Sequence, residues 1–365
     1  MRVILTRKVR CMCSLFHCET VLFCHLSDYF NQGIWEELHE IQDPGLKLRA
    51  NMLPSLLHAR WADSTTSKYE KSWRDWGNWC ALYPESPKLP ANPFYIALYI
   101  NDMVLEGCRY GAFEAAALGI RYGHILAGFD NPMDNLFLKA TLEGAKRTVG
   151  KSPISRQKEP ITTDMMRAVV DTYGWSPNLI QMRFIITCLV GFSGFLRISE
   201  LLEIKVQNLT FEDDCMKILI PKSKTDQVRE GHVVYIGRSH SKYCPVSWLE
   251  KYLHQTKLNL SPESFIMCRM AKTKLGHNAI GKHHISKTTI NDDFHKFITP
   301  VCENSNSALY GLHSLRSGGA SAAVNNGVSE RLIGKHGRWK SGYSRDRYLK
   351  GDKKGRLSVT KALGL

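Results

Sequence analysis

The sequence predicts a mainly α-helical chain with a small antiparallel β-sheet, an α+β class divided into two domains. Apolar and aromatic residues recur at three- and four-residue steps from about residue 63, the period of a buried helix face. A polar segment with two prolines, residues 149–161, interrupts this pattern and is typical of an interdomain linker. Short β-type runs follow between about residues 208 and 236, which predicts a small sheet in the second domain.

The chain is strongly basic. Its 365 residues are enough for two domains with separate cores, and 49 Lys and Arg against 34 Asp and Glu give a formal net charge of +15. Such an excess favours a polyanionic partner such as DNA or RNA, although a merely basic protein would also show it. The basic residues cluster, however, near the linker and near the C-terminus. From these clusters we predict DNA contacts by Lys146, Arg147, Lys151, Arg156, Lys158, Arg338 and Lys340.

The N-terminal segment, residues 1–48, has no assignment. Its first 25 residues are basic and then apolar, but Arg10, His17 and Glu19 interrupt the apolar run, so a signal peptide is disfavoured. A zinc site is disfavoured too, because Cys-x-Cys is not a common ligand spacing, and we predict no metal.

The cysteines and the hydropathy indicate the compartment. Eleven cysteines without framework spacing indicate a reducing, intracellular compartment. For a chain with a DNA partner, as the basic clusters predict, this would be the nucleus in a eukaryotic host and the cytoplasm or nucleoid in a bacterium. No run is apolar enough to span a membrane.

Residues 49–148 predict a compact helical domain. A first helix begins near Asp63 and carries Trp73, Trp76 and Trp79 on one face, which is far more typical of a core than of a base-stacking platform. Three more helices are predicted from about Pro93, over about 111–127, and after Asn131-Pro132.

Residues 162–365 predict the second domain. It begins with a helix over about 163–173, and Ser176-Pro177 then supply an N-cap and an N1 proline for a long apolar helix. The further predicted elements are a helix over Ile198–Ile204, strands over Asn208–Phe211, Met216–Ile220 and Val233–Ile236, helices from about 244, and a loop-rich section over 270–288.

Several polar side chains in this domain suit phosphate chemistry. His313 and Arg316, three residues apart, share one face of a helix. Arg197 precedes an apolar helix, where backbone N–H groups also favour a phosphate. Trp339 carries a ring N–H donor, and Tyr348 is a hydroxyl nucleophile among basic residues.

Each of these residues alone has a structural explanation. Arg197 could cap its helix or pair with Glu200, Trp339 could belong to the core, and Tyr348 could be a packing residue, with Tyr343 as its nearest rival for nucleophile. A turn lysine, Lys224, competes with Lys217 and Lys222. The prediction therefore depends on their joint order along a basic chain.

In that order and approximate spacing, the residues resemble the active-site pattern of the tyrosine recombinase (phage integrase) family. The resemblance covers about residues 162–350 strongly, and 50–150 more loosely as that family's helical DNA-clamping domain. Glu200 matches the acidic residue after the first arginine, and His336 is given a supporting role because the spacing favours the tryptophan as the second ring donor. The catalytic residues that the resemblance implies are Arg197, Lys224, His313, Arg316, Trp339 and Tyr348.

The resemblance also implies a mechanism. Tyr348 would attack a scissile DNA phosphate and form a 3′-phosphotyrosyl link, with His313 as general base and Lys224 as general acid to the leaving 5′-oxygen. The bond energy stays in the covalent link, so neither ATP, a metal nor another cofactor is expected. The implied partners are double-stranded DNA and further copies of the chain, four protomers on two duplexes, with residues 357–365 docking on a neighbour. No small-molecule substrate is expected.

Three functions compete at this point. The first is an active recombinase of a mobile element, and the second is a host-adopted DNA-binding protein that keeps the fold without recombining DNA. The third is a type IB topoisomerase, whose catalytic set is similar. The intact residue set disfavours the second, and the compact clamp together with the Gly-Leu-His-Ser-Leu-Arg-Ser-Gly-Gly sequence at 311–319 favours the first over the third.

Overall fold

The computed structural model describes residues 28–150, 158–220, 231–274, 276–302 and 306–349. The chain divides into two compact units, with the division between Ser155 and Arg156. Residues 1–25, for which a signal peptide and a zinc site were disfavoured, lie outside the described residues, as does the tail after Leu349.

Within residues 28–150, the first unit is all helical. Asparagine side chains begin two of its helices: Asn92 accepts a hydrogen bond from the Phe94 N–H, and Asn135 accepts from the N–H groups of Phe137 and Leu138. The helices are α1 Pro44–Ala50, α2 Leu53–His58, α3 Asp63–Cys80, α4 Pro93–Leu105, α5 Tyr110–Ala127 and α6 Leu136–Val149. The four helices predicted from the sequence correspond to α3 to α6.

The core of this unit lies on the predicted aromatic face. Trp73 and Trp76 are buried, and α3 packs closely against α5 because α5 carries glycine at the contact. A Cβ atom at Gly119 would lie 2.4 Å from the Ser72 Cβ, and one at Gly123 would lie 2.5 Å from the Trp73 ring. These glycines therefore allow the two helices to approach, which outweighs their low helix propensity.

Residues 28–48, which had no assignment, also fold as part of this unit. Short 3₁₀ helices over Asp28–Asn31 and Gly33–His39 precede α1. Tyr29 is buried in the same core. Trp35 is also buried, and its indole donates to the Leu126 carbonyl at 2.7 Å.

The second unit combines helices with two small sheets. Its helices are α7 Thr163–Tyr173, α8 Leu179–Ser193, α9 Ile198–Glu203, α10 Pro245–Thr256, α11 Lys287–Ile298, α12 Leu312–Asn325, α13 Glu330–Gly337 and α14 Gly342–Asp346. Buried side chains of α8, among them Ile185, Ile186 and Cys188, form the centre of the core.

The predicted three-stranded antiparallel sheet is confirmed, with strands β1 Leu209–Phe211, β2 Cys215–Ile220 and β3 His232–Gly237 in that order. Met216, Ile218 and Ile220 alternate toward the core, which is the period of a half-buried strand.

Two local predictions for this unit are wrong. Asn178, rather than Ser176, caps α8: it accepts from the N–H groups of Ile180 and Gln181, and the Gln181 side chain accepts from the Asn178 N–H in return. The section predicted to be loop-rich instead contains an antiparallel hairpin of β4 Cys268–Thr273 and β5 Gly276–His284. Along β5 the residues alternate between exposed and half-buried positions, so the sequence lacks the apolar alternation of a strand with one face in the core.

Candidate active site

Arg197 is the N-cap residue of α9 and is held by Glu200. The Arg197 N–H donates to Glu200 Oε2 at 2.9 Å, and its Nη1 donates to Glu200 Oε1 at 2.6 Å. The chain enters this helix through Phe195, whose φ of 46° lies in the left-handed region. The carboxylate thereby fixes both the backbone and the guanidinium of Arg197.

The Glu200 carboxylate lies between two arginines. Its Oε2 also accepts from Arg338 Nη2 at 2.7 Å, and its side chain is 2% exposed. Burial acts to raise the pKa of this carboxyl group, but the charges of Arg338 and Arg197 and the Arg197 N–H outweigh burial, so the pKa of Glu200 is below its usual value of 4.5. Glu200 is therefore ionised at neutral pH.

Arg316, on the second turn of α12, is completely buried. Its Nη1 donates to the Phe195 carbonyl, and its Nη2 donates to the Gly337 carbonyl at 2.5 Å. Burial, followed by the nearby charge of Arg197, lowers the pKa of Arg316 from its usual range to about 9. The guanidinium therefore stays cationic at neutral pH and provides positive charge in the interior of the site.

Two aromatic rings lie against the Arg316 guanidinium. Its central carbon is 4.4 Å from the centre of the Trp339 ring and 5.3 Å from that of Tyr348, and the two ring centres are 5.4 Å apart. Within the described residues, Arg316 Nε and the Trp339 indole Nε1 are buried without a hydrogen-bond acceptor. An oxygen-rich ligand such as a phosphate would supply the acceptors that these two N–H groups lack.

The two candidate nucleophiles lie in different environments. Tyr348 is half-buried beside Arg316 and Trp339, and its carbonyl accepts from the Ser321 hydroxyl at 3.3 Å. Tyr343, on α14, is 78% exposed. The geometry favours Tyr348, since its ring alone of the two contacts the buried guanidinium in the described structure.

His313 lies on the first turn of α12, three residues before Arg316, and its side chain is exposed. The turn is capped by Ser314, whose hydroxyl accepts from the Gly311 N–H at 3.0 Å. His313 therefore lies at the surface next to the buried arginine, where a DNA backbone could reach it.

Lys224 and its rival Lys222 lie outside the described residues, between β2 and β3. The other rival, Lys217 on β2, forms an ion pair in which its Nζ lies 2.5 Å from Glu212 Oε1. This ion pair makes Lys217 a poor candidate for the general acid.

His336, the predicted supporting residue, links α13 to the end of α8. Its Nε2 lies 2.8 Å from the Ser193 carbonyl, and its ring centre is 4.6 Å from that of Phe195. A carbonyl oxygen can only accept, so Nε2 carries the proton. Burial, reinforced by the nearby charges of Arg338 and Arg316, lowers the pKa of His336 below 6.5, which favours the neutral ring.

Arg338 differs from the other residues predicted to contact DNA. Its side chain is 3% exposed, and its guanidinium is directed inward to Glu200 rather than to solvent. The sequence placed it in a basic cluster, but in the structure Arg338 adopts a φ of 58° where α13 ends, and its side chain is buried there. Arg338 is thus buried against Glu200, a placement that the predicted DNA contact did not anticipate.

The remaining predicted DNA contacts divide by location. Lys151 and Arg156 lie outside the described residues. The Lys158 Nζ donates to the Ala308 carbonyl at 2.5 Å, and the Lys146 Nζ lies 4.8 Å from the Tyr110 ring centre. Those with exposed side chains are Lys146, Arg147, Lys158 and Lys340.

No predicted site residue belongs to a metal-ligand cluster in the described part of the chain. Glu212, Asp214 and Cys215 form a group there that could hold an ion, and this group lies where β1 turns into β2. No helix among the described residues is long and apolar enough to cross a membrane.

Known proteins share this sequence pattern and fold. The sequence model of the Phage integrase family matches residues 160–354. The integrase/recombinase XerD homolog of Selenomonas ruminantium is 26% identical over 298 residues, which cover 79% of this chain and 82% of the relative.

Two solved structures show the same fold. The XerH site-specific recombinase, solved on palindromic difH substrate in a post-cleavage complex, gives a TM-score of 0.53 at 12% identity, over 78% of this chain and 76% of that one. The lambda integrase dimer bound to a COC′ core site gives a TM-score of 0.50 at 16% identity, over 86% of this chain and 83% of that one. With a family match over more than half of its length, this chain belongs to the phage integrase family, the tyrosine recombinases.

Proposed function

We propose that this chain is a site-specific DNA recombinase that cuts and rejoins DNA through a covalent bond to Tyr348. The observation that carries the proposal is the contact of the Tyr348 ring with the buried guanidinium of Arg316, beside the unpaired indole N–H of Trp339. A hydroxyl nucleophile, a fixed cation and a donor within one cluster match the requirements of phosphoryl transfer.

In the proposed reaction the Tyr348 oxygen attacks the scissile phosphorus, and the bond to the 5′-oxygen of the next nucleotide breaks. A free phenol has a pKa of about 10, so a base must take its proton; His313 has that role. Lys224 donates a proton to the leaving 5′-oxygen. Attack by the 5′-hydroxyl of a partner strand on the phosphotyrosyl bond then releases Tyr348 and joins the strands.

Charge stabilisation comes from three buried or half-buried side chains. Arg197 and Arg316 neutralise the non-bridging oxygens, for which planar guanidinium groups are well suited, and Trp339 donates its N–H to the same phosphate. Because the phosphodiester energy is conserved in the link to Tyr348, the proposed reaction needs neither ATP nor a metal ion.

The proposed partners are double-stranded DNA and other copies of this chain. We assign residues 49–148 to a helical clamp, residues 149–161 to a basic linker and residues 162–365 to the catalytic domain, with four protomers joining two duplexes. The neighbours support the DNA partner: XerH was solved with its difH substrate, and lambda integrase on a core site. A further neighbour is the integrase of transposon Tn1549, TM-score 0.51, which favours a mobile element as the source.

A suicide substrate tests the proposed function. The purified chain is incubated, with chelator and without ATP, with a nicked duplex that carries the termini of its own element, so that the cleaved strand diffuses away. The expected product is a protein–DNA adduct that survives denaturant and is joined through a 3′ phosphate. No adduct on any cognate terminus would favour the host-adopted DNA-binding protein. Relaxation of supercoils without strand exchange would favour a topoisomerase.

A further inference from the structure

The Arg338 guanidinium is buried among the groups that hold both active-site arginines. Its Nη2 donates to Glu200 Oε2 at 2.7 Å and to the Phe195 carbonyl at 3.3 Å, and its Nη1 donates to the His336 carbonyl at 3.1 Å. Glu200 in turn holds Arg197, and the Phe195 carbonyl accepts from Arg316. Arg338 therefore contacts one direct partner of each arginine.

This arrangement gives Arg338 an electrostatic task that Arg197 cannot perform alone. A buried carboxylate without sufficient positive charge is costly and tends to take up a proton. Arg197 is 13% exposed on its side chain and is the arginine that must also bind a phosphate. Arg338 is 3% exposed, so its charge remains with Glu200 while Arg197 binds the phosphate.

The backbone explains why Arg338 points inward. It follows the last residue of α13 with a φ of 58°, and its N–H donates to the Lys335 carbonyl at 3.2 Å, while the Trp339 N–H donates to Gly334 at 3.0 Å. This left-handed cap ends the helix. The same turn places the next side chain, Trp339, on the Arg316 guanidinium.

We propose that Arg338 is a positioning residue for DNA cleavage: it fixes the Glu200 carboxylate and the Phe195 carbonyl, and through them it orients Arg197 and Arg316 toward the scissile phosphate. The inference rests on the proposed function and adds a residue that does not touch DNA. It predicts that loss of Arg338 slows the chemical step and leaves DNA affinity nearly unchanged.

A double-mutant cycle tests this role. Arg338→Met, Glu200→Gln and the double variant are compared with the unaltered chain in single-turnover cleavage of the suicide substrate and in DNA binding. Each single variant should cleave about 10²-fold more slowly, the usual loss for a preorganised charged group. The double variant should be no slower than the slower single variant, because interacting residues are not additive. The matched control is Arg167→Met, since Arg167 pairs with Asp164 at an exposed site of α7.

The pH dependence separates positioning from a general structural defect. The charged or titratable groups that face Glu200 are Arg197, Arg338 and Arg316, with His336 next to Arg338. Without the Arg338 charge, burial raises the pKa of Glu200, so the carboxylate that holds Arg197 is lost as the pH falls. The cleavage deficit of Arg338→Met should therefore be larger at pH 6 than at pH 8. This extra pH dependence should disappear when Glu200→Gln is added.

The outcomes separate this proposal from the proposed function. Adduct formation by the unaltered chain reports on the recombinase activity alone, and its absence would remove both. If the unaltered chain is active, Arg338→Met should lower the cleavage rate much less in the Glu200→Gln background than in the unaltered one. An equal fold-loss of rate in both backgrounds would overturn the positioning role. So would a loss of DNA affinity as large as the loss of rate, which would indicate a direct phosphate contact. If Arg338→Met fails to fold, Arg338→Lys takes its place in the cycle. Lysine keeps the charge but lacks the planar two-nitrogen donor of a guanidinium, so Arg338→Lys should cleave more slowly than the unaltered chain but faster than Glu200→Gln.

Discussion

The guanidinium of Arg316 lies against the face of the Trp339 ring, 4.4 Å from its centre, while the indole N–H of the same ring has no acceptor among the described residues. The two parts of the tryptophan side chain therefore have separable roles. The ring face packs on a buried cation, and the edge carries a donor suited to a phosphate oxygen.

Substitution of Trp339 distinguishes these roles. Trp339→Phe keeps a ring for Arg316 and removes the donor, so we expect single-turnover cleavage to fall about 10²-fold with little change in stability. Trp339→His restores a ring N–H and should recover part of the rate. Normal cleavage by Trp339→Phe would show that the ring face alone matters.

Close packing of α12 on α8 predicts a stability effect at glycine. A Cβ atom at Gly319 would lie 2.1 Å from the Phe192 carbonyl oxygen, which belongs to backbone that cannot move freely. Gly319→Ala should therefore destabilise the second unit by about 1–3 kcal/mol in chemical denaturation. The control is Gly334→Ala on α13, where the Cβ meets nothing within 4 Å and should be neutral or stabilising. Equal effects of the two would contradict the packing argument.

A buried histidine makes the helical unit sensitive to acid. His124 Nε2 accepts from the Ala91 N–H at 2.9 Å and its Nδ1 donates to the Ile120 carbonyl at 2.8 Å, so the ring is neutral. Burial lowers the pKa of His124 below 6.5. The stabilisation by the neutral His124 ring is complete above the pKa of histidine in the unfolded state. It is lost as the pH falls toward and through the lower pKa in the folded state, by at most about 1.4 kcal/mol per pH unit.

Thermal unfolding at pH 7.5 and pH 5 measures this effect. His124→Gln should show a smaller drop in melting temperature between the two pH values than the unaltered chain. His39→Gln, at an exposed position of the same unit, is the control and should behave as the unaltered chain does. A full acid dependence in His124→Gln would place the sensitive group elsewhere.

DNA binding should depend strongly on salt and not on Tyr348. Contacts to several phosphates release counterions, so affinity should fall by orders of magnitude between about 50 and 200 mM salt. Tyr348→Phe should show the same dependence of log affinity on log salt concentration as the unaltered chain. Lys340→Gln should reduce the slope of that dependence by about 1 if the exposed Lys340 ammonium contacts a phosphate. A flat salt response would contradict the interpretation of the basic clusters.

The sequence predicted the main helices and the sheet because their residues follow a strong period. Trp73 and Trp76 on α3, and Met216, Ile218 and Ile220 on β2, are buried as that period requires. The β4–β5 hairpin was missed because its exposed and half-buried residues include Lys272, His277 and Lys282, which give no apolar alternation.

The order of the polar residues predicted a set of site residues, but the orientation of those that the structure describes depends on long-range contacts. Arg338 is 138 residues from Glu200, and no local pattern shows that the two pair. Likewise, the carbonyls that accept from Arg316 belong to Phe195 and Gly337, where backbone position alone decides the contact. The sequence predicted a functional role for Arg316 without indicating that it is completely buried against two rings.

Covalent trapping with the two tyrosine variants tests the central claim, that Tyr348 is the nucleophile, most directly. Tyr348→Phe removes only the phenolic oxygen, and Tyr343→Phe removes the same atom from a ring that is 78% exposed. On the nicked suicide duplex, the unaltered chain and Tyr343→Phe should both form the denaturant-stable adduct. Tyr348→Phe should form none while binding the DNA normally. An adduct that persists in Tyr348→Phe, or disappears in Tyr343→Phe, would contradict the assignment.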